Sequence, residues 1–296
     1  PDIVHTHLLK ADFYGRLTAK FLKIPLVFST CHNDSTTHNL RRTDAKNFFD
    51  FVDNWVIDYT NSYIIAISEK VKEYLLHRKN EKISNRITVV YNGINIKKEH
   101  YILNNEEIKY FKNSLGLHEE DFVIAIVGRL EKQKGHIEFL SCCADVIKKN
   151  NLKILIEGSG TQKINIENCV KAEKIENNII FTGFKEDTEK YFEISNLVAV
   201  PSIWEGFGIV ACEGMIKGKI VLAANVGGLP EIIDDGVDGF LYNHSELKDK
   251  LEFIVKKYAE LSNMKRNARE KIKSKFDIQK NSLLYYSEYT KRSVME

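Results

Sequence analysis

Two cations stand five residues apart in a glycine-bounded segment, VGRLEKQKG, at residues 127–135. Arg129 and Lys134 lie between Gly128 and Gly135, after a predicted strand and before a predicted helix. Ligands of open α/β sheets bind at such carboxyl ends of strands. Two fixed cations near a helix N-terminus suit the charge of a diphosphate. The alternative interpretation is a surface loop whose Arg and Lys are solvated.

A second segment, PSIWEGFGIVACE at residues 201–213, also follows a predicted strand. Gly206 and Gly208 let the backbone approach a ligand, and a helix is predicted to begin near Gly208 with free N–H groups. Glu205 precedes that helix, whereas Glu213 lies about a turn and a half inside it. The two carboxylates therefore need not do the same job: one can accept hydrogen bonds from sugar hydroxyls near the loop, and the other from hydroxyls of a ribose lying along the helix. Alternatively, Glu205 only interacts with the helix dipole and Glu213 is a surface charge.

Two further motifs leave alternatives open. The sequence GGLPE at residues 227–231 follows a strand, and its proline suits the first turn of a helix as well as its glycines suit a ligand contact.

His5 and His7 lie on one face of the first strand, because side chains alternate along a strand. They could bind a metal, but no third ligand is near them in the sequence. A hydrogen-bonding histidine in a cleft is the favoured interpretation.

The elements that must position these residues form an alternating pattern. Short runs rich in β-branched residues predict strands, separated by amphipathic segments such as 12–22 and 68–76, the latter capped by Ser68. This alternation predicts parallel sheets with helical crossovers. The predicted strands are residues 3–4, 27–29, 63–67, 86–90, 122–127, 153–156, 179–182, 197–200 and 220–223.

The pattern is interrupted by a polar stretch at residues 95–120, and we place a domain boundary near residues 95–118. We expect a partial N-terminal domain at 1–100, a complete doubly wound domain at 101–275, and a C-terminal helix at 276–296 that packs back on the N-terminal domain. The sequence starts with no Met and with a strand already under way. The first strands of the N-terminal domain are therefore expected to precede it.

Composition excludes several classes of protein. The chain of 296 residues contains no run of 18 apolar residues, so no membrane-spanning helix is predicted. Five cysteines without metal spacing indicate reduced thiols and a cytoplasmic location. The net charge of +2 argues against a nucleic-acid partner. Residues 1–100 hold 15 Lys and Arg against 11 Asp and Glu, which suits either a solvated surface or peripheral contact with the inner face of an anionic membrane.

Taken together, the motifs resemble the "group 1" family of retaining glycosyltransferases (family 4 type), which have the GT-B fold of two Rossmann-like α/β domains. The matching motifs are, in order, DIVHTH (2–7), IAISE (65–69), YNGI (91–94), GR and KG (128–135), EGSG (157–160), Glu205 with Glu213, GGLPE (227–231) and Gly236 with Gly239 and Phe240. The family's glycine-rich acceptor-side loop is absent, which places the activity of this chain by itself in question.

The resemblance implies a nucleoside-diphosphate sugar bound chiefly to the C-terminal domain. Arg129 and Lys134 would hold the diphosphate beside Gly128, Glu205 would contact the donor sugar, and Glu213 the ribose. His7 matches the family's cleft histidine near the reacting sugar. The base would lie against Gly183 and Phe184, and the sugar and phosphates along the backbone of Gly206, Phe207, Gly208 and Ile209.

The implied reaction is transfer of the sugar to a glycan or lipid-linked acceptor with retention, by front-face attack, in surface polysaccharide synthesis. A UDP-sugar is the first expectation for the donor and GDP-mannose the second. No cofactor or metal is expected, because fixed cations and a helix N-terminus stabilise the leaving diphosphate and the sequence has no Asp-x-Asp motif. Two alternatives remain at this point: a GT-B sugar-nucleotide epimerase, and a non-catalytic GT-B binding or assembly domain.

Overall fold

A computed structural model describes residues 1–32, 44–79, 81–97 and 101–293 of the chain, with the backbone alone for residues 44–50, 78, 79, 81 and 82. The chain divides into two compact units, each of which we describe by itself. The first comprises Pro1–Gly93, Glu205–Phe207 and Ile278–Glu296, and the second Ile94–Trp204 and Gly208–Asp277.

The first unit is built on a parallel sheet of four strands in the order β1-β2-β3-β4. Its elements are β1 (Ile3–His7), α1 (Leu9–Phe21), β2 (Leu26–Cys31), α2 (Asp44–Thr60), β3 (Tyr63–Ala66), α3 (Glu69–Lys79), β4 (Ile87–Val89) and α12 (Ile278–Ser293). β2 is buried along nearly its whole length, as expected of a central strand in a parallel sheet. Tyr285 and Tyr289 of α12 pack against Leu26 and Phe28 of this strand.

A buried ion pair ties the first unit's helices to its sheet. Arg16 of α1 bonds to Asp53 of α2 over 2.9 Å, and its Nε donates to Ser29 Oγ of β2 over 2.9 Å. Further along the chain, the N–H of Val71 donates to Ser68 Oγ over 3.1 Å at the start of α3. The predicted Ser68 cap is therefore confirmed.

The second unit is a six-stranded parallel sheet in the order β10-β9-β8-β5-β6-β7. Its elements are α4 (Asn105–Ser114), β5 (Val123–Val127), α5 (His136–Lys149), β6 (Lys153–Glu157), α6 (Lys163–Ala172), β7 (Ile179–Gly183), α7 (Glu189–Ile194), β8 (Leu197–Val200), α8 (Ile209–Ile216), β9 (Ile220–Ala224), α9 (Leu229–Ile232), β10 (Phe240–Tyr242), α10 (Leu247–Lys257) and α11 (Ser262–Lys275). This is the doubly wound order. The chain runs outward from β5 to β7, then returns to β8 on the other side of β5, so the order reverses between β5 and β8.

Side chains of β5 point alternately to the two faces of the sheet, so this strand contributes to the core on each face. Ile124 and Ile126 enter the larger core with α5, α6 and α10. Val123 points to the opposite face, where it packs with Leu155 and Tyr191. Both faces of the sheet are thus covered, which explains why its strands are continuous apolar runs in the sequence.

Part of the stretch that the sequence analysis treated as a polar boundary is a helix. In α4 the side chain of Asn104 accepts from the N–H of Glu107, and the carboxylate of Glu107 accepts from the N–H of Asn104. Ile108 and Phe111 then pack near Tyr191. This reciprocal capping box stabilises a short helix whose composition is mostly polar.

Candidate functional site

The connection from β5 to α5 carries both predicted cations. The N–H of Gly128 donates to the carbonyl oxygen of Glu157, at the end of β6, over 2.9 Å. The aliphatic chain of Lys134 passes over Gly128, where a Cβ would lie 3.6 Å from Lys134 Cε. Lys134 therefore lies along the carboxyl edge of the sheet, where Arg129 is exposed.

Gln133 connects this loop to the one that follows β8. Its Oε1 accepts from Arg129 Nη2 over 3.3 Å, and its Nε2 donates to the carbonyl oxygen of Trp204 over 3.1 Å. Its own carbonyl oxygen accepts from the N–H of Ile203 over 2.8 Å. One side chain thus fixes the Arg129 guanidinium relative to the second loop. The sequence analysis did not identify Gln133, because an amide between two lysines has no distinguishing spacing.

Gly135 brings the same two loops into direct contact. It has a φ of 65° and precedes α5, and a Cβ at this position would lie 1.8 Å from the carbonyl oxygen of Pro201. Only glycine fits such an approach. The contact lies at the carboxyl ends of β5 and β8, where the strand order reverses and where open α/β sheets bind their ligands.

Helix α8 begins where the second segment predicts, with Gly208 as its N-cap at a φ of 119°. A Cβ on Gly208 would lie 2.6 Å from Leu229 Cδ2, so glycine is required here too. Ile209 is 47% exposed at the helix start, and Glu213 follows one turn later. The first N–H groups of a helix have no intrahelical acceptor, and this end therefore suits an anion.

The predicted base-binding residues lie at the end of β7. Gly183 has a φ of 70° with open space where a Cβ would be, and Phe184 is 69% exposed. The N–H of Gly158 donates to the carbonyl oxygen of Gly183 over 3.0 Å. The loops after β5, β6 and β7 are thus adjacent along one edge of the sheet.

Glu157 is a buried carboxylate on this edge that the sequence analysis did not select. Its side chain is 2% exposed, and its Oε2 has no hydrogen-bond partner within the described part of the chain. Burial, followed by the nearby Glu213 carboxylate, raises the pKa of Glu157 to about 7.

Three predicted residues of the second loop group with the first unit. They are Glu205, Gly206 and Phe207. Within that unit, Ser68 Oγ donates to the carbonyl oxygen of Gly206 over 2.8 Å. The rings of Tyr91 and Phe207 are 6.1 Å apart between centroids. These contacts involve the IAISE and YNGI motifs, so both motifs support the backbone of this loop.

His7 belongs to a cluster of three imidazoles in the first unit. Its ring stacks on His5, with 4.6 Å between centroids and an interplanar angle of 18°, which confirms that the two share a face. Its Nδ1 lies 2.9 Å from Nε2 of His32, at the end of β2. The sequence analysis found no third metal ligand near the pair in the sequence. In the fold, the imidazole of His32 lies beside His7, because it follows His7 by 25 residues and comes directly after the neighbouring strand β2.

Burial and electrostatic repulsion lower the pKa of two imidazoles of this cluster, His5 and His32. Burial, together with His7 and His32, lowers the pKa of His5 to about 4. Burial and then His7 also lower the pKa of His32. The nitrogens of His5 lie 2.5 Å from the hydroxyl of Tyr289 and 2.7 Å from Thr30 Oγ1. Within the four described ranges, no group of three or more His, Cys, Asp or Glu side chains is arranged to hold a metal ion.

The glycine pair at residues 227–231 starts a helix, as one of its two interpretations predicts. Leu229 begins α9, and Pro230 occupies its first turn.

No helix in the described residues combines the length and the apolarity needed to cross a membrane.

Family models match both parts of the chain. The model for glycosyl transferases group 1 covers residues 107–271, and that for glycosyltransferase family 4 covers residues 1–98. The chain therefore belongs to the group 1 glycosyltransferases.

Two relatives and one solved structure illustrate the similarity. The UDP-Gal:alpha-D-GlcNAc-diphosphoundecaprenol alpha-1,3-galactosyltransferase of Escherichia coli is 25% identical, over 94% of this chain and 72% of that protein. The capsular polysaccharide biosynthesis glycosyltransferase CapM of Staphylococcus aureus is 28% identical, over 94% of this chain and 74% of that protein. The crystal structure of Anabaena HepE in complex with UDP and glucose has a TM-score of 0.87 at 21% identity, over 98% of this chain and 77% of that one.

The last comparison shows the fold: the chain has the two parallel-sheet α/β domains of GT-B glycosyltransferases, as the sequence motifs predict. The chain spans from 52% to 75% of the length of the curated relatives compared.

Proposed function

We propose that this protein transfers a sugar from a nucleoside-diphosphate sugar to a glycan or lipid-linked acceptor, with retention of anomeric configuration. The observation that carries the proposal is the linked pair of loops at the strand-order reversal of the second unit. There Arg129 and Lys134 share one edge with the N-terminus of α8, and Gln133 joins the two loops.

These groups suit the departure of a nucleoside diphosphate. As the bond from the sugar to the diphosphate breaks, negative charge develops on the phosphate oxygens and positive charge on the sugar. Arg129, Lys134 and the N–H groups of α8 are fixed before the reaction and stabilise the developing negative charge without reorganisation. In the proposal, no metal is needed for this step.

The remaining predicted residues keep the roles that the resemblance implies. Glu213 accepts hydrogen bonds from the ribose, and Glu205 from the donor sugar. The base lies against Gly183 and Phe184. His7 contacts the reacting sugar, and its hydrogen bond with His32 orients its imidazole.

A UDP-sugar is the proposed donor and surface polysaccharide synthesis the proposed setting. The support is the nature of the compared proteins: one uses UDP-Gal and a diphosphoundecaprenol-linked acceptor, one acts in capsular polysaccharide synthesis, and one binds UDP and glucose. None of the five cysteines, all of them in the described ranges, forms a disulfide, which suits a reducing compartment, so we place the reaction on the cytoplasmic side of the membrane.

Exposed aromatic side chains on the first unit support peripheral membrane contact. Phe51, Trp55 and Tyr59 follow one another at four-residue intervals along α2, each more than half exposed. Phe21 of α1 is 85% exposed, and Lys20 lies over the Tyr59 ring. Aromatic rings flanked by lysines favour the interface of an anionic bilayer. Co-sedimentation with phosphatidylglycerol vesicles tests this contact, which the double variant Phe21→Ser/Trp55→Ser should weaken at least fivefold.

Calorimetric titration with UDP, GDP, UDP-glucose and GDP-mannose, without added metal, tests the donor site. We expect one base to bind at micromolar concentration, and Arg129→Ala and Glu213→Ala each to weaken binding at least tenfold. Lys132→Ala is the matched control, because Lys132 is an exposed cation in the same loop and should matter little. With a lipid-linked acceptor, Arg129→Ala should lower turnover by roughly a hundredfold, or about 3 kcal/mol in the transition state.

Other outcomes separate the competing functions. Nucleotide binding without transfer to any acceptor would support a non-catalytic domain, and conversion of the sugar nucleotide to its epimer would support an epimerase. Proton NMR of the product gives the anomeric configuration, and inversion would contradict the proposed stereochemistry. If neither nucleotide binds to the folded protein, the donor site itself is rejected.

A further inference from the structure

Glu157 is a buried carboxyl at the edge of the sheet where the donor is proposed to bind. It is the last residue of β6, its side chain is 2% exposed, and its Oε2 has no hydrogen-bond partner in the described residues. An unsatisfied buried acceptor destabilises a fold. Its presence at this place therefore points to a role other than packing.

The backbone and neighbours of Glu157 are those of the donor site. Its carbonyl oxygen accepts from the N–H of Gly128 over 2.9 Å. It is paired in register with Gly183 of β7, beside the proposed base-binding loop. Glu213, the proposed ribose ligand on α8, is the charged group that raises the pKa of Glu157 most strongly. The backbone of Glu157 is thus bound to two proposed donor-site segments, and its carboxyl lies within electrostatic reach of Glu213.

The charges that act on Glu157 come from two directions. Glu213 on α8 raises its pKa, and so does Asp187 in the connection between β7 and α7. Lys185 in that connection lowers it, while Tyr191 of α7 is a neutral neighbour whose own pKa is raised partly by Glu157. With burial as the largest cause, the pKa of Glu157 is raised to about 7. The carboxyl of Glu157 therefore changes its protonation close to neutral pH.

We propose that Glu157 is a positioning residue for Glu213: its protonated carboxyl leaves Glu213 as the single negative charge that accepts hydrogen bonds from the ribose of the donor. The inference rests on the donor site proposed above. When Glu157 loses its proton, a second carboxylate lies beside Glu213 in a site that must also hold a diphosphate. The complex therefore binds this proton more tightly than the free protein, and donor affinity falls as the pH rises through 7.

The test is the pH dependence of UDP-glucose binding to the full chain between pH 5.5 and 8.5. A nucleotide sugar is the right probe, because it lacks the terminal phosphate monoester whose pKa near 6 would add its own pH dependence. We expect the wild-type affinity to fall about fivefold from pH 6 to pH 8, because a rise of one unit in this pKa on binding gives at most a tenfold fall, which is approached only at higher pH. Glu157→Gln, which imitates the protonated carboxyl, should keep the affinity found at pH 6 over the whole range.

Two results would overturn the inference. The first is an affinity for UDP-glucose that falls with pH by the same factor in the wild type and in Glu157→Gln. The second is a Glu157→Gln variant that circular dichroism shows to be folded but that binds UDP-glucose at no pH. Should the variant fail to fold, wild-type titrations at pH 7.5 in two buffers of different ionisation enthalpy decide the question, since binding must take up a proton. If the wild type binds neither UDP-glucose nor GDP-mannose at any pH, the donor site is wrong; if it binds without proton uptake, only the role of Glu157 is wrong.

Discussion

Gly135 lies so close to Pro201 that a single added carbon would overlap the proline's carbonyl oxygen, at 1.8 Å. This contact joins the loop after β5, with its two cations, to the loop after β8. The geometry of the proposed diphosphate site in the second unit therefore depends on a backbone approach as well as on its charged side chains.

The first prediction follows from that contact. Gly135→Ala must move either the β8 loop or the start of α5, and Lys134 moves with it. We expect the variant to fold with lower stability and to bind nucleotide at least tenfold more weakly. Thermal unfolding and calorimetry measure the two effects.

Gly116→Ala provides the control for backbone strain. Gly116 has a φ of 73°, close to that of Gly135, but open space where a Cβ would be. Both alanines incur the left-handed penalty of about 1–2 kcal/mol. Only Gly135→Ala adds the overlap with Pro201, so equal effects in the two variants would show that the close approach is unimportant.

The strands were the most predictable part of this fold. The strands predicted at residues 153–156 and 197–200 correspond to β6 (Lys153–Glu157) and β8 (Leu197–Val200). They could be predicted because a strand covered on both faces is a continuous apolar run. The helix α4 escaped prediction since its stability comes from a capping box and a few contacts with Tyr191. β10, of three residues, is too short to give a pattern.

The site was predictable only where it depends on residue type in one segment. Arg129 and Lys134 stand out because glycines bound their loop. Gln133, Glu157 and His32 do not, since each matters through a partner far along the chain: Trp204, Glu213 and His7 respectively. Such partners are brought together by the order of strands in a sheet. A local sequence pattern does not encode that order.

The second prediction concerns the buried pair in the first unit. Arg16→Met removes the ion pair between Arg16 and Asp53, and Asp53 is 4% exposed. Removing one partner of a buried pair destabilises by roughly 3–5 kcal/mol. The double variant Arg16→Met/Asp53→Leu removes both charges and should recover most of that loss.

Tryptophan fluorescence can report on this unit alone. The chain has two tryptophans, Trp55 in the first unit and Trp204 in the second. In a Trp204→Phe background, urea unfolding followed at Trp55 therefore measures the first unit. A double variant no more stable than Arg16→Met would show that the arginine acts through packing or through Ser29.

The third prediction is an acid sensitivity of the first unit that originates at His5. The pKa of this imidazole is lowered to about 4 in the folded protein, from 6.5, chiefly by burial. The unfolded chain therefore binds the proton more readily, and protonation favours unfolding. The stabilising contribution is present in full above pH 6.5 and is lost as the pH falls from 6.5 to about 4. After allowance for partial exposure, the loss is on the order of 2 kcal/mol.

His5→Gln separates this titration from the other contacts of the ring. Glutamine retains a donor and an acceptor for Thr30 and Tyr289 but lacks the imidazole ring, so the variant should be less stable than the wild type at pH 8. Because glutamine does not titrate, the variant should lose less stability than the wild type between pH 6.5 and pH 4. His77→Gln is the control, since His77 is an exposed histidine of the same unit. Urea unfolding at Trp55 over this pH range measures all three proteins. If His5→Gln and the wild type lose stability in parallel, the acid sensitivity belongs to another group, and His32, whose pKa is also lowered by burial and by His7, is the next to substitute.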